Sequence, residues 1–98
     1  MDKSTVIAKI REHEPELRAA GVTRLALFGS VARGEASAES DVDLMAEFDA
    51  SRTYTLLDRV RLENMLADLL GVPVDLTPAQ TLKDGVRERV AREAVLAF

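Results

Sequence analysis

Residues 25–48 read LALFGSVARGEASAESDVDLMAEF, and the fold turns on how this stretch divides. Arg24 to Phe28 carries the run Leu25-Ala26-Leu27-Phe28, which predicts a short buried strand. Gly29-Ser30 ends it, since glycine lets the backbone turn sharply and lets a ligand approach the main chain. Ser30 to Arg33 reads as a short helical turn, and Gly34 to Ser40, small and polar, as a loop. From Val42 to Phe48 apolar and polar residues alternate. Val42, Leu44, Ala46 and Phe48 share the core face, leaving Asp41, Asp43, Met45 and Glu47 on the other.

Working outward, Ser4 is the expected cap of a first helix bearing Val6, Ile7 and Ile10. Pro15 predicts a break near His13 and a short second helix from Pro15 to Ala20, closed by Gly21. Downstream, Tyr54 to Leu70 is the longest helical pattern, with Leu62, Met65, Leu66 and Leu69 at three-four spacing. Gly71 and Pro73 stop it. Val74-Asp75-Leu76 is a third strand ended by Thr77-Pro78. Leu82 to Phe98 reads as a last helix with Val86, Val90 and Ala94 on one side. The terminal Val95-Leu96-Ala97-Phe98 either closes the core or joins an apolar interface. The order helices, strand, strand, helix, strand, helix predicts an α+β (α/β two-layer) domain, a small sheet flanked by helices. A chain of 98 residues holds one such domain, expected to run over 1–98.

Composition narrows the function. A formal net charge of −4 argues against non-specific nucleic-acid binding. No Trp and one Tyr leave little for a base-stacking platform. The absence of cysteine excludes disulfides and thiolate metal sites. The N-terminus lacks the basic-then-apolar pattern of a secretion signal, and no apolar run approaches the ~20 residues of a membrane span. A cytoplasmic protein without membrane or direct nucleic-acid contacts is expected.

Three pieces carry chemistry. Amides at the Gly29-Ser30 turn favour phosphate oxygens, and Arg33 offers a fork of donors to the same anion. Asp41 and Asp43, two apart on a strand, share a face. Asp75 lies in an apolar strand, opposite its neighbours Val74 and Leu76. Each alone has a plain reading, as a turn, a solvated acidic pair or a strand-end carboxylate. Together they need an energetic account. Two carboxylates ~5 Å apart repel by roughly 3 kcal/mol at an effective dielectric near 20. Protonation relieves this, and so does a divalent cation, which an all-oxygen set selects from Mg²⁺, Mn²⁺ and Ca²⁺. A pair of ions ~3.5–4 Å apart stabilises the attacking and leaving oxygens of an in-line displacement. A phosphate cradle beside a carboxylate cluster outlines phosphoryl or nucleotidyl transfer.

Phe28-Gly29-Ser30, Ala32-Arg33-Gly34 and Ser40-Asp41-Val42-Asp43-Leu44 resemble the DNA polymerase β-like nucleotidyltransferase superfamily. Its hallmark is Gly-Ser, about ten residues, then Asp-x-Asp; here Val31 to Ser40 separate Ser30 from Asp41. Asp75 matches the third aspartate that a later strand supplies in that family. The resemblance implies that Asp41, Asp43 and Asp75 are catalytic and ligate Mg²⁺, two ions in all. Asp75 would also help activate the acceptor hydroxyl. It implies that Gly29 and Ser30 hold the β- and γ-phosphates of ATP, assisted by Arg33. The short length is similar to the minimal nucleotidyltransferases, often antitoxins paired with a HEPN-domain ribonuclease toxin. In that family AMP is transferred from ATP to a tyrosine of the toxin. Two other readings stand beside it: an antitoxin that neutralises by binding alone, and a subunit that modifies a small molecule or RNA with the help of a second chain.

Three further residue groups have plainer roles. His13 is expected near the helix break as a surface or cap residue, and Tyr54 at a helix start as a packing residue. Arg87, Arg89 and Arg92 give the last helix a basic side, a solvated face by default or one that meets an acidic partner.

Overall fold

A computed structural model describes residues 2–35 and 41–98. The order is α1 (Lys3–Glu12), α2 (Glu14–Ala19), β1 (Val22–Phe28), α3 (Gly29–Ala32), β2 (Val42–Phe48), α4 (Leu56–Leu70), β3 (Val74–Pro78), a 3₁₀ turn (Ala79–Thr81), α5 (Asp84–Glu93) and β4 (Val95–Leu96). The expected loop from Gly34 to Ser40 lies largely outside the described residues, as does Ser40 of the acidic motif.

The four strands form one mixed sheet in the order β3-β2-β1-β4. β1 runs antiparallel to β2 and to β4, while β2 and β3 are parallel. The α+β expectation holds. One face of the sheet is the core face. Leu25, Leu27, Val42, Leu44, Ala46 and Leu76 pack there against Val6, Ile10 and Leu17 of α1 and α2 and Leu62, Leu66 and Leu70 of α4. These side chains supply most of the stabilisation, because each Val or Leu buried is worth ~1.5–3 kcal/mol. The alternation read in β2 is the observed burial pattern, with Val42, Leu44 and Ala46 fully buried and Phe48 partly so. Phe48 stacks on Tyr54, ring centroids 3.8 Å apart, which makes Tyr54 the packing residue expected of it.

Several boundaries differ from the sequence reading, each for a local reason. Asp2, not Ser4, caps α1, its carboxylate accepting the Thr5 N–H at 2.8 Å. A carboxylate at that position also meets the positive end of the helix. Tyr54 precedes α4, because Thr55 and Asp58 close a reciprocal capping box there. The buried residues of α4 are Leu62, Leu66 and Leu70, with Met65 and Leu69 only partly covered. β3 runs through Thr77-Pro78, which expectation placed beyond its end. It is an edge strand, where a proline's missing N–H costs the ladder nothing.

The largest difference is at the C-terminus. The last helix stops at Glu93, and Val95-Leu96 pair with Leu27 and Ala26 of β1 as a fourth strand. Ala97 is fully buried, and its amide donates to the Leu25 carbonyl at 2.8 Å. Hence the terminal residues close the core, as one of the two expectations held, but as sheet and not as helix. α5 itself has no buried residue, so Val86 and Val90 do not anchor it. His13 links α1 to α2 as a cap residue, its Nδ1 3.1 Å from the Lys9 carbonyl oxygen.

Candidate functional site

The second face of the sheet carries the polar residues of the strands. β1 ends at Phe28, whose partner across the antiparallel ladder is Asp43. On the other side of β2, Asp43 is in register with Asp75 of β3. Asp41 stands one residue before β2 begins, with its charge near enough to act on Asp43. The register of three strands thus places Asp43 and Asp75 side by side at the end of the sheet where β1 passes into α3.

Gly29 opens α3 with φ +76°, a conformation that L-residues other than glycine rarely adopt. A Cβ there would collide with the Asp43 carboxylate. Phe28, at the N-cap of α3, contributes no side-chain cap, and the first amide bonded within the turn is that of Arg33, to the Gly29 carbonyl at 3.1 Å. The amides that open a helical turn have no partner inside it and point outward. Gly29, which opens this turn, adjoins the Asp43 carboxylate.

Asp43 is half-buried, and its carboxyl is pushed above the usual aspartate range. Burial is the largest cause, followed by the charges of Asp75 and Asp41, with Arg33 acting in the opposite direction. Like charges thus act on a carboxylate that already has limited access to water. As placed, no three carboxylate or imidazole groups among the described residues stand close enough together to surround an ion. Asp75 is engaged elsewhere, its Oδ1 accepting from Arg59 Nη2 at 3.2 Å. The donor set nevertheless fits a hard cation. It consists of carboxylate oxygens, one of them destabilised by its neighbours.

The comparisons with known proteins bear on this geometry. Residues 7–97 match the nucleotidyltransferase domain family. The chain belongs to that family. A protein adenylyltransferase MntA of Thermococcus cleftensis is 43% identical to the domain over 84 residues, covering 85% of this chain and 83% of the relative. A solved structure named for a minimal nucleotidyltransferase is 43% identical with a TM-score of 0.81, covering 97% of this domain and 95% of that chain. At 21% identity the fold is shared with a complex of a tri-AMPylated Shewanella oneidensis HEPN toxin and its MNT antitoxin, with a TM-score of 0.69 over 97% of this domain and 71% of that chain.

In this nucleotidyltransferase domain, Arg33 is less free than its sequence context implied. Its Nε donates to Glu35 at 3.1 Å and its Nη1 to Glu93 of α5 at 3.4 Å. Both pairs are exposed and worth little individually, so an anion can compete for the guanidinium. Beyond Asp43 the same sheet face runs into an open hollow of about 320 Å³ under α5, floored by Ala26, Met45 and Leu96 and edged by Arg24, Glu47 and Arg87.

Two residues beside the site escaped the sequence reading. Arg59 of α4 holds Asp75, and Glu63, one turn on, accepts the Leu76 N–H at 2.8 Å. The signal was present but faint. Arg59 and Glu63 sit at i, i+4 in the order Arg then Glu, the less favourable orientation for a helix pair, which hints that their partners lie elsewhere.

Proposed function

We propose that this domain is a divalent-cation-dependent protein adenylyltransferase that moves AMP from ATP to a tyrosine hydroxyl of a HEPN-domain partner. The observation that carries the reading is the three-strand register: Asp43 sits between Asp75 on one side and the Gly29-Ser30 turn on the other. The name of the Thermococcus cleftensis relative supports protein adenylylation, and the shared fold with the antitoxin of a tri-AMPylated HEPN toxin supports the kind of acceptor.

In this reading the outward amides at Gly29-Ser30 bind the β- and γ-phosphate oxygens, and Arg33 adds charge to the same group once released from Glu35 and Glu93. Asp41, Asp43 and Asp75 hold Mg²⁺, two ions at full occupancy. Bound there, Mg²⁺ lowers the charge on the phosphates and on the oxygens of the displacement. The acceptor oxygen forms a bond to the α-phosphorus, the bond from that phosphorus to the β-phosphate oxygen breaks, and pyrophosphate leaves. The hydroxyl proton passes to solvent, and Asp75, more than half exposed and therefore open to an acceptor, helps to activate the hydroxyl. The charge cluster at Asp43 explains why the reaction would be tied to a cation: without one, three carboxylates repel each other and the phosphates alike.

The test combines the protein, labelled ATP, Mg²⁺ and a HEPN-domain partner, followed by intact mass measurement of the partner. Mass gains in whole AMP increments, lost in Asp41→Asn and in Asp43→Asn, are expected. A partner that is inhibited without gaining mass, equally by both variants, would instead establish neutralisation by occlusion.

A further inference from the structure

β3 is an edge strand, so one row of its backbone groups finds no partner within the sheet. α4 covers that edge with two side chains from successive turns. The Glu63 carboxylate, largely buried at 22% exposure, accepts the amide of Leu76 through Oε2 at 2.8 Å. Arg59, one turn earlier, reaches Asp75, the residue before Leu76, and donates from Nη2 to Oδ1 at 3.2 Å. The Arg59 Nε is buried and makes no hydrogen bond; it stands 3.7 Å from Glu63 Oε1. The guanidinium thus lies between Glu63 and Asp75, with its terminal nitrogen committed to Asp75.

We propose that Arg59 is a positioning residue for Asp75, acting with Glu63 as a clamp on residues 75–76. It rests on the assignment of Asp75 as a cation ligand made above. Arg59 takes one carboxylate oxygen and leaves the other for the ion, so the side chain keeps a single orientation beside two other acidic groups. The planar fork suits this task better than an ammonium, since one edge can stay with Glu63 while the far nitrogen holds Asp75. Glu63 fixes the backbone from which Asp75 projects. Residues that support a metal-ligating carboxylate in this way typically change metal affinity by ~10–100-fold when removed.

The experiment is a Mn²⁺ titration of the protein, read by electron paramagnetic resonance, with a non-hydrolysable ATP analogue present. Arg59→Gln is expected to weaken Mn²⁺ binding by ~10–100-fold, and Arg59→Lys, which keeps the charge but not the fork, to recover only part of the loss. In an Asp75→Asn background Arg59→Gln should add nothing, because its effect runs through that carboxylate. The assignment is overturned if Arg59→Gln binds Mn²⁺ like the parent, or if it weakens binding by the same factor with and without Asp75. Should Arg59→Gln not fold, full parental affinity in Arg59→Lys overturns it. Parental affinity in Asp75→Asn alone removes Asp75 from the site and Arg59 with it. Weakening in Asp75→Asn but not in Arg59→Gln removes only Arg59.

Discussion

Gly29 and Asp43 share one space: the position a Cβ would take on Gly29 is filled by the Asp43 carboxylate. Gly29 follows Phe28, the last residue of β1, and Phe28 is opposite Asp43 in the ladder. The glycine of the Gly-Ser turn is therefore required twice, for a backbone φ of +76° and for the carboxylate beside it.

Gly34 provides the internal control, with φ +75° and no neighbour within 4 Å of a Cβ. Gly34→Ala should cost only the backbone strain of a left-handed residue, ~1–2 kcal/mol. Gly29→Ala should cost more than that, displace Asp43, and abolish nucleotidyl transfer. Thermal melts and transfer assays of the two variants side by side check this, with each kcal/mol worth about 4–8 °C in a chain of this size. Equal melting temperatures would show that the Asp43 contact contributes nothing.

The raised carboxyl of Asp43 makes a prediction about pH. Burial, then Asp75 and Asp41, lift it above its ordinary value of 3.8, so the folded state holds this proton more tightly than the unfolded chain. The resulting stabilisation is complete below the unfolded value and is lost as pH rises through the folded one. Asp43→Asn never ionises. Without divalent cations it should therefore melt a few degrees above the parent at pH 7–8, and the difference should shrink toward pH 4. Melting curves in chelator across that range measure it; a variant less stable than the parent at pH 8 would contradict it.

Ligand should reverse the order. Mg²⁺ together with a non-hydrolysable ATP analogue, binding only the folded parent, adds ~2.7 kcal/mol at one hundred times the dissociation constant. Chelation should remove that gain. In Asp43→Asn it should be absent from the start, so the parent overtakes the variant once ligand is present. Differential scanning calorimetry with each component omitted in turn gives the comparison.

Much of the site was legible in the sequence because it is local. The apolar run ending at Phe28, the Gly-Ser turn and the alternation of β2 each depend on near neighbours, and the side-chain period of two was enough to turn Asp43 away from the core. The break near His13 followed from Pro15 alone. The C-terminal strand was not legible: Val86, Val90 and Ala94 fit a helical period that runs on past Glu93, and only the open edge of β1 draws Val95-Leu96 into the sheet.

What the sequence by itself determined, then, is the content of the site: a glycine turn, three aspartates, and the strand and helix periods that carry them. The tertiary structure alone decided which of them meet. Asp75 adjoins Asp43 because β3 pairs in parallel with β2 in one particular register, and a slip of a single residue would turn its carboxylate to the opposite face. Arg59 and Glu63 reach residues 75 and 76 because α4 lies along that edge. Such pairings join residues more than ten positions apart through backbone ladders and helix packing, and local periodicity carries no information about them.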